Sequence, residues 1–201
     1  MTFSQFGEDA IIANFFGSFT GSFLDVGAHN GEYLSNTRAL ALAGWTGCCV
    51  EPDLEPFAAL ATLYAGNSQV TLVHAAITAD GRPRHFWRAP GGWSTLDRKH
   101  AARPEFTQTP FWVPTLSTKA LHGLLRGSPD FMSVDCEAMD MEIVGASREL
   151  LAGTRLLCYE HDIPGSTATS EQNAAWARVL HYVGMTKVVG RTSANTLVTR
   201  P

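Results

Sequence analysis

The chain alternates short apolar runs with longer amphipathic segments, the pattern of strands and helices taking turns along a sequence. The apolar runs predict five strands at 22–26, 46–50, 70–76, 131–134 and 155–159. Most of these runs are apolar throughout rather than at every second position. Such runs are typical of parallel strands that are buried on both faces of a sheet.

The amphipathic segments between these runs predict helices at 32–43, 54–65, 116–126, 142–151 and 171–183. Two further apolar segments, 185–189 and 196–199, are separated by a short turn and predict an antiparallel hairpin. We therefore expect an α/β fold. It should be a doubly wound, mostly parallel, seven-stranded Rossmann-like sheet with an antiparallel C-terminal edge hairpin.

Residues 82–114 interrupt the alternation. This insertion contains five prolines and six aromatic residues. Long irregular loops inside a domain are usually functional or disordered, and the aromatic content argues against disorder. It is either an extra hairpin packed on the core or a lid that faces a substrate. An aromatic loop also suits a homodimer interface. The remainder shows no repeat, so residues 1–201 are predicted to form a single domain.

Charge and hydropathy narrow the choice of partners. The net charge is −4 and the sequence pI is about 5.9, so we expect neither nucleic acid nor an anionic membrane as partner. No apolar stretch is long enough to cross a bilayer, and the first residues do not have a signal-peptide pattern. The four cysteines lack metal-type spacing and are expected to be reduced thiols. These features predict a cytoplasmic protein.

The first predicted strand ends in a glycine-bracketed turn that is the strongest candidate for a binding site. The strand contributes Asp25, and the turn consists of Gly27, Ala28, His29, Asn30 and Gly31. Glycine lets a cofactor approach the backbone closely. The turn is neither G-x-G-x-x-G nor a P-loop. Asp25 could alternatively be a buried acid that braces the turn.

Ligands of open α/β sheets bind at the carboxyl ends of the strands. Glu51 ends the second predicted strand, where a carboxylate can accept hydrogen bonds from both hydroxyls of a ribose. It could alternatively be an N-cap or first-turn charge of the helix that follows. Ala76 ends the third strand and is a further candidate cofactor contact.

Six segments, taken in order, resemble the FkbM family of methyltransferases, which belong to the class I S-adenosylmethionine-dependent superfamily. They are S-Q-F-G-E-D at 4–9, D-V-G-A-H-N-G at 25–31, S-N-T at 35–37, G-W-T-G with V-E-P at 44–52, A-A-I at 75–77 and S-V-D-C-E at 133–137. The chain departs from the family pattern at Ala138, where glycine is usual, and at Asp140, which shortens a second acid.

The resemblance implies S-adenosylmethionine as cofactor and methyl transfer to a hydroxyl of a sugar or secondary metabolite, a small-molecule acceptor. The turn, Asp25, Glu51, Ala76 and Asp135 would then hold the cofactor. His29 either packs on its methionine part or is exposed. Asn36, placed in the predicted helix, either contacts the cofactor or faces solvent. A non-catalytic domain that binds the cofactor or a partner is the alternative function.

Acids at the ends of the fourth and fifth strands are the catalytic candidates. Asp135, Glu137 and His161 are predicted to take up or guide the proton of the acceptor hydroxyl. By analogy with catechol-type O-methyltransferases, Asp135, Glu160 and Asp162 are candidate ligands of Mg²⁺. In a metal-free alternative, Asp135 or His161 is the base. Glu160 and Asp162 could instead only cap the following turn.

Overall fold

The protein was analysed as a computed structural model that describes residues 2–107, 109–161 and 169–201. Its strands, in chain order, are β1 (Ser22–Val26), β2 (Thr46–Val50), β3 (Val70–Val73), β4 (Ala76–Thr78), β5 (His85–Phe86), β6 (Phe111–Trp112), β7 (Thr115–Ser117), β8 (Phe131–Val134), β9 (Leu156–Glu160), β10 (Lys187–Arg191) and β11 (Asn195–Thr199). Its α-helices are α1 (Glu8–Phe16), α2 (Arg38–Leu42), α3 (Leu54–Leu63), α4 (Thr118–Leu125), α5 (Asp140–Ala146), α6 (Arg148–Leu151) and α7 (Ser170–Val183).

Seven strands form the main sheet in the order β10-β11-β9-β8-β1-β2-β3. Strand β11 is antiparallel to both of its neighbours, while β9, β8, β1, β2 and β3 pair in parallel. The predicted doubly wound sheet with an antiparallel C-terminal edge is confirmed. The chain order reverses at β1, which lies between β2 and β8. The carboxyl end of β1 is therefore where a ligand cleft is expected.

The core covers both faces of this sheet because successive strand residues point to opposite sides. Leu24 and Met132 belong to one buried cluster, and Phe23 and Phe131 belong to the other. The adjacent Cys48 and Cys49 divide between the two clusters in the same way. The cysteines are free thiols, as predicted, and burial raises the pKa of each.

The helix predicted at 32–43 is much shorter in the structure, where α2 covers only Arg38–Leu42. Side chains of the preceding segment compete with helical hydrogen bonds. The Ser35 Oγ accepts from the backbone N–H groups of Thr37 and Arg38, and Leu34 has a positive φ of 57°. The chain therefore enters the helix at Arg38, and not at residue 32 as its apolar periodicity suggests.

Two other elements divide in the structure. The strand predicted at 70–76 ends at Val73, and β4 pairs with β7 in a separate two-stranded sheet. The helix predicted at 142–151 is broken at Ser147 into α5 and α6. The Ser147 hydroxyl donates to the Ile143 carbonyl, a local bond that is frequent where helices bend.

The insertion at 82–114 packs on the domain and also faces the cleft. Strands β5 and β6 pair as antiparallel partners, and Phe86 and Val113 are buried in a small cluster with Ala76. Arg84 holds Glu142 of α5 through two hydrogen bonds of 3.0 and 2.7 Å. Among the described residues, no helix has the length and apolar composition that crossing a membrane requires.

Candidate active site

The glycine turn is built by contacts among the ends of three strands. The N–H groups of Gly27 and Ala28 both donate to the Val50 carbonyl at 3.0 Å. Gly27 has a φ of +91°, and a Cβ atom there would overlap the Asp135 carbonyl oxygen. A Cβ on Gly31 would meet Leu60 of α3. These glycines therefore permit close contact within the protein itself, which the sequence argument assigned to the cofactor.

Glu51 is held rigidly at the end of β2. Its Oε2 accepts from the His29 N–H at 2.9 Å, and its Oε1 accepts from the Asp53 N–H at 2.7 Å. The N-cap of α3 is Asp53, whose side chain accepts from the Glu55 N–H. Glu51 therefore links the glycine turn to α3 instead of capping the helix. Each of its oxygens keeps a second acceptor position.

Burial raises the pKa of Glu51 to about 7, although the two backbone hydrogen bonds act in the opposite direction. A group that donates hydrogen bonds to Glu51 would favour its ionised form. The site is therefore suited to a ligand that brings hydroxyl donors to this carboxylate.

A cavity of about 620 Å³ opens beside Glu51 at the carboxyl ends of β1 and β2. This volume lies in the usual range of small-molecule sites. Of the predicted cofactor residues, those lining it are Gly27, His29, Asn30, Glu51, Ala76 and Asp135. The structure thus brings residues from the carboxyl ends of β1, β2 and β8 to one cleft, together with Ala76, which begins β4 and does not end the third strand as predicted.

The insertion supplies the outer wall of this cavity, including Phe86, Arg88 and Phe106. The Arg88 guanidinium forms a two-point ion pair with Asp53, in which its Nε lies 2.7 Å from Oδ2. The same guanidinium lies over the ring of Phe111. Sequence analysis did not single out Arg88, because a partner 35 residues earlier leaves no local pattern.

A second, smaller cavity of about 70 Å³ lies on the other side of Gly27. The predicted site residues among its lining are Asp25, Gly27, Ala28, His29, Asn36, Asp135, Glu137 and Glu160. Gly27, Asp135 and Glu137 line both cavities, so the two adjoin there.

Asp25 and Asn36 form the floor of the second cavity. Asp25 is buried and accepts a 2.6 Å hydrogen bond from the Thr37 hydroxyl, and burial raises its pKa to about 7. Asp25 therefore braces the segment before α2. Asn36 lies before this helix rather than within it, and its Nδ2 donates to Ser133 at 3.1 Å. Its Oδ1 is buried without a hydrogen-bond partner.

Three acids meet where the cavities adjoin. Carboxylate oxygens of Asp135, Glu137 and Glu160 lie within 4.8 Å of one another. Burial raises the pKa of Asp135 to about 6, and burial together with the charge of Asp135 raises the pKa of Glu137 to about 8. Carboxyl groups with such values can take up a proton near neutral pH.

The predicted trio of metal candidates differs from this cluster. Asp162 lies outside the described residues, and Glu137 joins Asp135 and Glu160 instead. The His161 Nδ1 shares a 3.0 Å hydrogen bond with the Thr196 hydroxyl of β11. His161 is not among the described residues that line either cavity.

The position at which the sequence departs from the FkbM pattern has an unusual backbone. Glu137 and Ala138 have positive φ values of 49° and 77°. Glycine adopts this region without strain, whereas alanine does not. Ala138 thus keeps a conformation that a glycine favours. The Thr95 hydroxyl of the insertion donates to the Glu137 carbonyl at 2.6 Å and supports this turn.

The comparisons with known proteins concern the fold. No protein-family model and no curated protein sequence matches the chain. Solved structures of methyltransferases do match it. The FkbM methyltransferase of Methylobacillus flagellatus is 12% identical with a TM-score of 0.55, and the match covers 89% of this chain and 43% of that one.

The N-terminal domain of EvdMO1 with bound S-adenosylhomocysteine is 16% identical with a TM-score of 0.53, covering 98% and 82% of the two chains. The ribosomal protein L11 methylase of Lactobacillus delbrueckii is 10% identical with a TM-score of 0.54, covering 96% and 77%. The chain therefore has the Rossmann-like fold of S-adenosylmethionine-dependent methyltransferases. These identities do not single out the FkbM family.

Proposed function

We propose that this protein binds S-adenosylmethionine in the cleft beside β1 and transfers its methyl group to a hydroxyl of a small molecule. The observation that carries this proposal is the position of Glu51. Two backbone N–H groups, from His29 and Asp53, hold its carboxylate at the wall of the larger cavity. A fixed carboxylate at the end of β2 suits the two hydroxyls of a ribose.

The remaining predicted cofactor residues fit around this anchor. With the ribose at Glu51, the adenine would lie in the larger cavity toward Ala76, and the methionine part would pass Gly27 into the second cavity. The second cavity offers polar groups from Asp25 and Asn36 for a small polar end group. The Rossmann-like fold and the bound S-adenosylhomocysteine of EvdMO1 support this choice of cofactor.

The cofactor supplies an electrophilic methyl group, so the protein has to position the acceptor and remove its proton. Asp135 and Glu137 line both cavities and have raised pKa values, which suits a general base. Asp135 is our first candidate and Glu137 the second. His161 is the last candidate, because it is not among the described residues that line the two cavities.

The acceptor is proposed to be a sugar or secondary metabolite. Trp93 and Tyr33 line the second cavity and are largely exposed, as side chains that stack on a bound molecule would be. The fold itself does not exclude a macromolecular acceptor, since the L11 methylase shares it. Homodimer formation through the insertion also stays a prediction.

Magnesium is a separate part of the proposal. The oxygen ligands of Asp135, Glu137 and Glu160 have a spacing that fits a hard cation. Such acidic clusters also occur without any metal. In this site a metal would orient the acceptor hydroxyl and lower its pKa.

Calorimetric titration of S-adenosylmethionine and S-adenosylhomocysteine into the protein, with Mg²⁺ or with EDTA, tests the proposal. We expect micromolar binding of the cofactor. A screen of small-molecule acceptors with the bound cofactor should then detect turnover. Binding without any turnover would favour the alternative, a non-catalytic cofactor-binding domain. No binding in either condition would refute the cofactor assignment.

A further inference from the structure

The second cavity is lined by acidic groups. Its lining includes four carboxyl groups, those of Asp25, Asp135, Glu137 and Glu160. No lysine or arginine occurs among the described residues that line it. A cation among carboxyl groups gathered in one small cavity stabilises their ionised forms. The cavity is therefore suited to a ligand with positive charge at this position.

The acids that adjoin the larger cavity have few compensating charges. The Nε2 of His100 lies 3.5 Å from Glu137, but burial lowers the pKa of this imidazole and favours its neutral form. Arg103 of the insertion pairs with Glu105 and contacts the His100 ring, and its charge opposes the raised pKa of Glu137 only in part. Asp135 and Glu137 repel each other across a short distance, and a nearby cation would relieve this repulsion.

Asn36 gives an independent indication of a ligand. Its side chain lines the second cavity and is 7% exposed, yet its Oδ1 has no hydrogen-bond partner. The other end of the amide is fixed by Ser133. Buried acceptors are rarely left without a donor in folded proteins. A ligand that brings a donor to this position would satisfy the Asn36 Oδ1, and an ammonium group is such a donor.

We propose that this acidic junction discriminates between the two states of the cofactor, holding cationic S-adenosylmethionine more tightly than neutral S-adenosylhomocysteine. The inference rests on the proposed function, because it places the sulfonium between the ribose at Glu51 and the ammonium at Asn36. The two molecules differ only in the sulfur-bound methyl group and the positive charge it confers, so their affinity ratio reports on this one position of the cofactor. Loss of this charge on methyl transfer weakens binding and releases the spent cofactor.

The test measures dissociation constants of both molecules by calorimetry in metal-free buffer with EDTA. For the wild type we expect S-adenosylmethionine to bind roughly tenfold more tightly, the effect of one partly screened charge pair. An analogue with an ammonium group in place of the sulfonium should bind like S-adenosylmethionine. Glu137→Gln should reduce the ratio at least about threefold, chiefly by weakening the cationic ligands.

Glu51→Gln is the matched control, since it removes a carboxylate that faces the ribose. It should weaken both ligands to the same extent and leave their ratio unchanged. Equal wild-type affinities, or a ratio that Glu137→Gln does not alter, would overturn the inference while leaving the proposed function intact. If neither ligand binds the wild type, the proposed function itself fails.

Discussion

Gly27 and Asp135 lie in such close contact that a side-chain carbon on Gly27 would overlap the backbone carbonyl of Asp135. This contact joins the ends of β1 and β8, and the Asp135 N–H donates to the Val26 carbonyl at 3.0 Å beside it. The glycine therefore permits the strand ends to close. It also holds the backbone of Asp135 at the edge of the cleft.

Gly27→Ala should destabilise the whole domain. The new methyl group overlaps backbone that cannot move away, and alanine is strained at a φ of +91°, so we expect a loss of roughly 3 to 5 kcal/mol. Gly44→Ala is the matched control, because Gly44 has a φ of +84° but open space around its Cβ. It should lose only about 1 to 2 kcal/mol. Chemical denaturation measures both, and equal losses would contradict the contact.

Most strands of the main sheet and the glycine turn could be predicted because their signals are local. Strand β8 has the predicted bounds, since a continuous apolar run between polar residues leaves little freedom. The position of Glu51 followed from topology alone: parallel strands end at one edge of a sheet. Both predictions depend on residues that are neighbours in the sequence or in the strand order.

The structure differs from the sequence-based predictions where side chains from loops or from distant segments determine the local backbone conformation. Ser35 captures the backbone N–H groups of Thr37 and Arg38, which the predicted helix at 32–43 would have used. The pairing of Arg88 with Asp53 depends on the path of the insertion, which no periodicity encodes. His161 bonds to Thr196, a residue of an antiparallel strand whose register the sequence does not specify.

Glu51→Gln should weaken cofactor binding without unfolding the protein. The amide keeps one acceptor but places an NH₂ group against the N–H of His29 or Asp53, so one backbone hydrogen bond is lost. We expect affinity for S-adenosylhomocysteine to fall at least about tenfold, equivalent to one lost charged hydrogen bond. Calorimetry measures this. Glu149→Gln, on an exposed side chain, should leave affinity unaltered.

Asp135→Asn should remove turnover and keep the cofactor site. The asparagine has a similar shape but cannot accept the proton of the hydroxyl, and loss of a general base typically lowers the rate by about 10² to 10⁴. Initial rates with an acceptor found by screening measure the loss. Affinity for S-adenosylhomocysteine should stay within about threefold, which shows that the site is folded. Retained turnover would show that another residue is the base.

Ala138→Gly should stabilise the protein, which is unusual for a substitution to glycine. Ala138 is exposed and has a φ of +77°, where relief of strain exceeds the entropic cost of glycine by about 0.5 to 1 kcal/mol. Ala43→Gly is the control, because Ala43 is also exposed but has a φ of −80°. It should be neutral or destabilising. Denaturation midpoints distinguish the two variants. A destabilised Ala138→Gly variant would show that the alanine is not strained in the wild type.

The cofactor-free protein should lose stability as the pH rises from about 5 to about 7. Burial raises the pKa of Asp25 from 3.8 to about 7, so the folded state binds more protons than the unfolded state in this range. The stability that this group contributes is complete below its unfolded pKa and lost as the pH passes its folded pKa.

Denaturant unfolding at a series of pH values measures the effect, with a fall of at most about 3 kcal/mol expected from this group. Asp25→Asn should flatten the pH dependence, because the amide does not titrate and its oxygen can still accept the Thr37 hydroxyl bond. Asp97→Asn, a change outside the two cavities, should keep the wild-type slope. A wild-type stability that instead rises between these pH values would show that Asp25 is ionised in the folded protein.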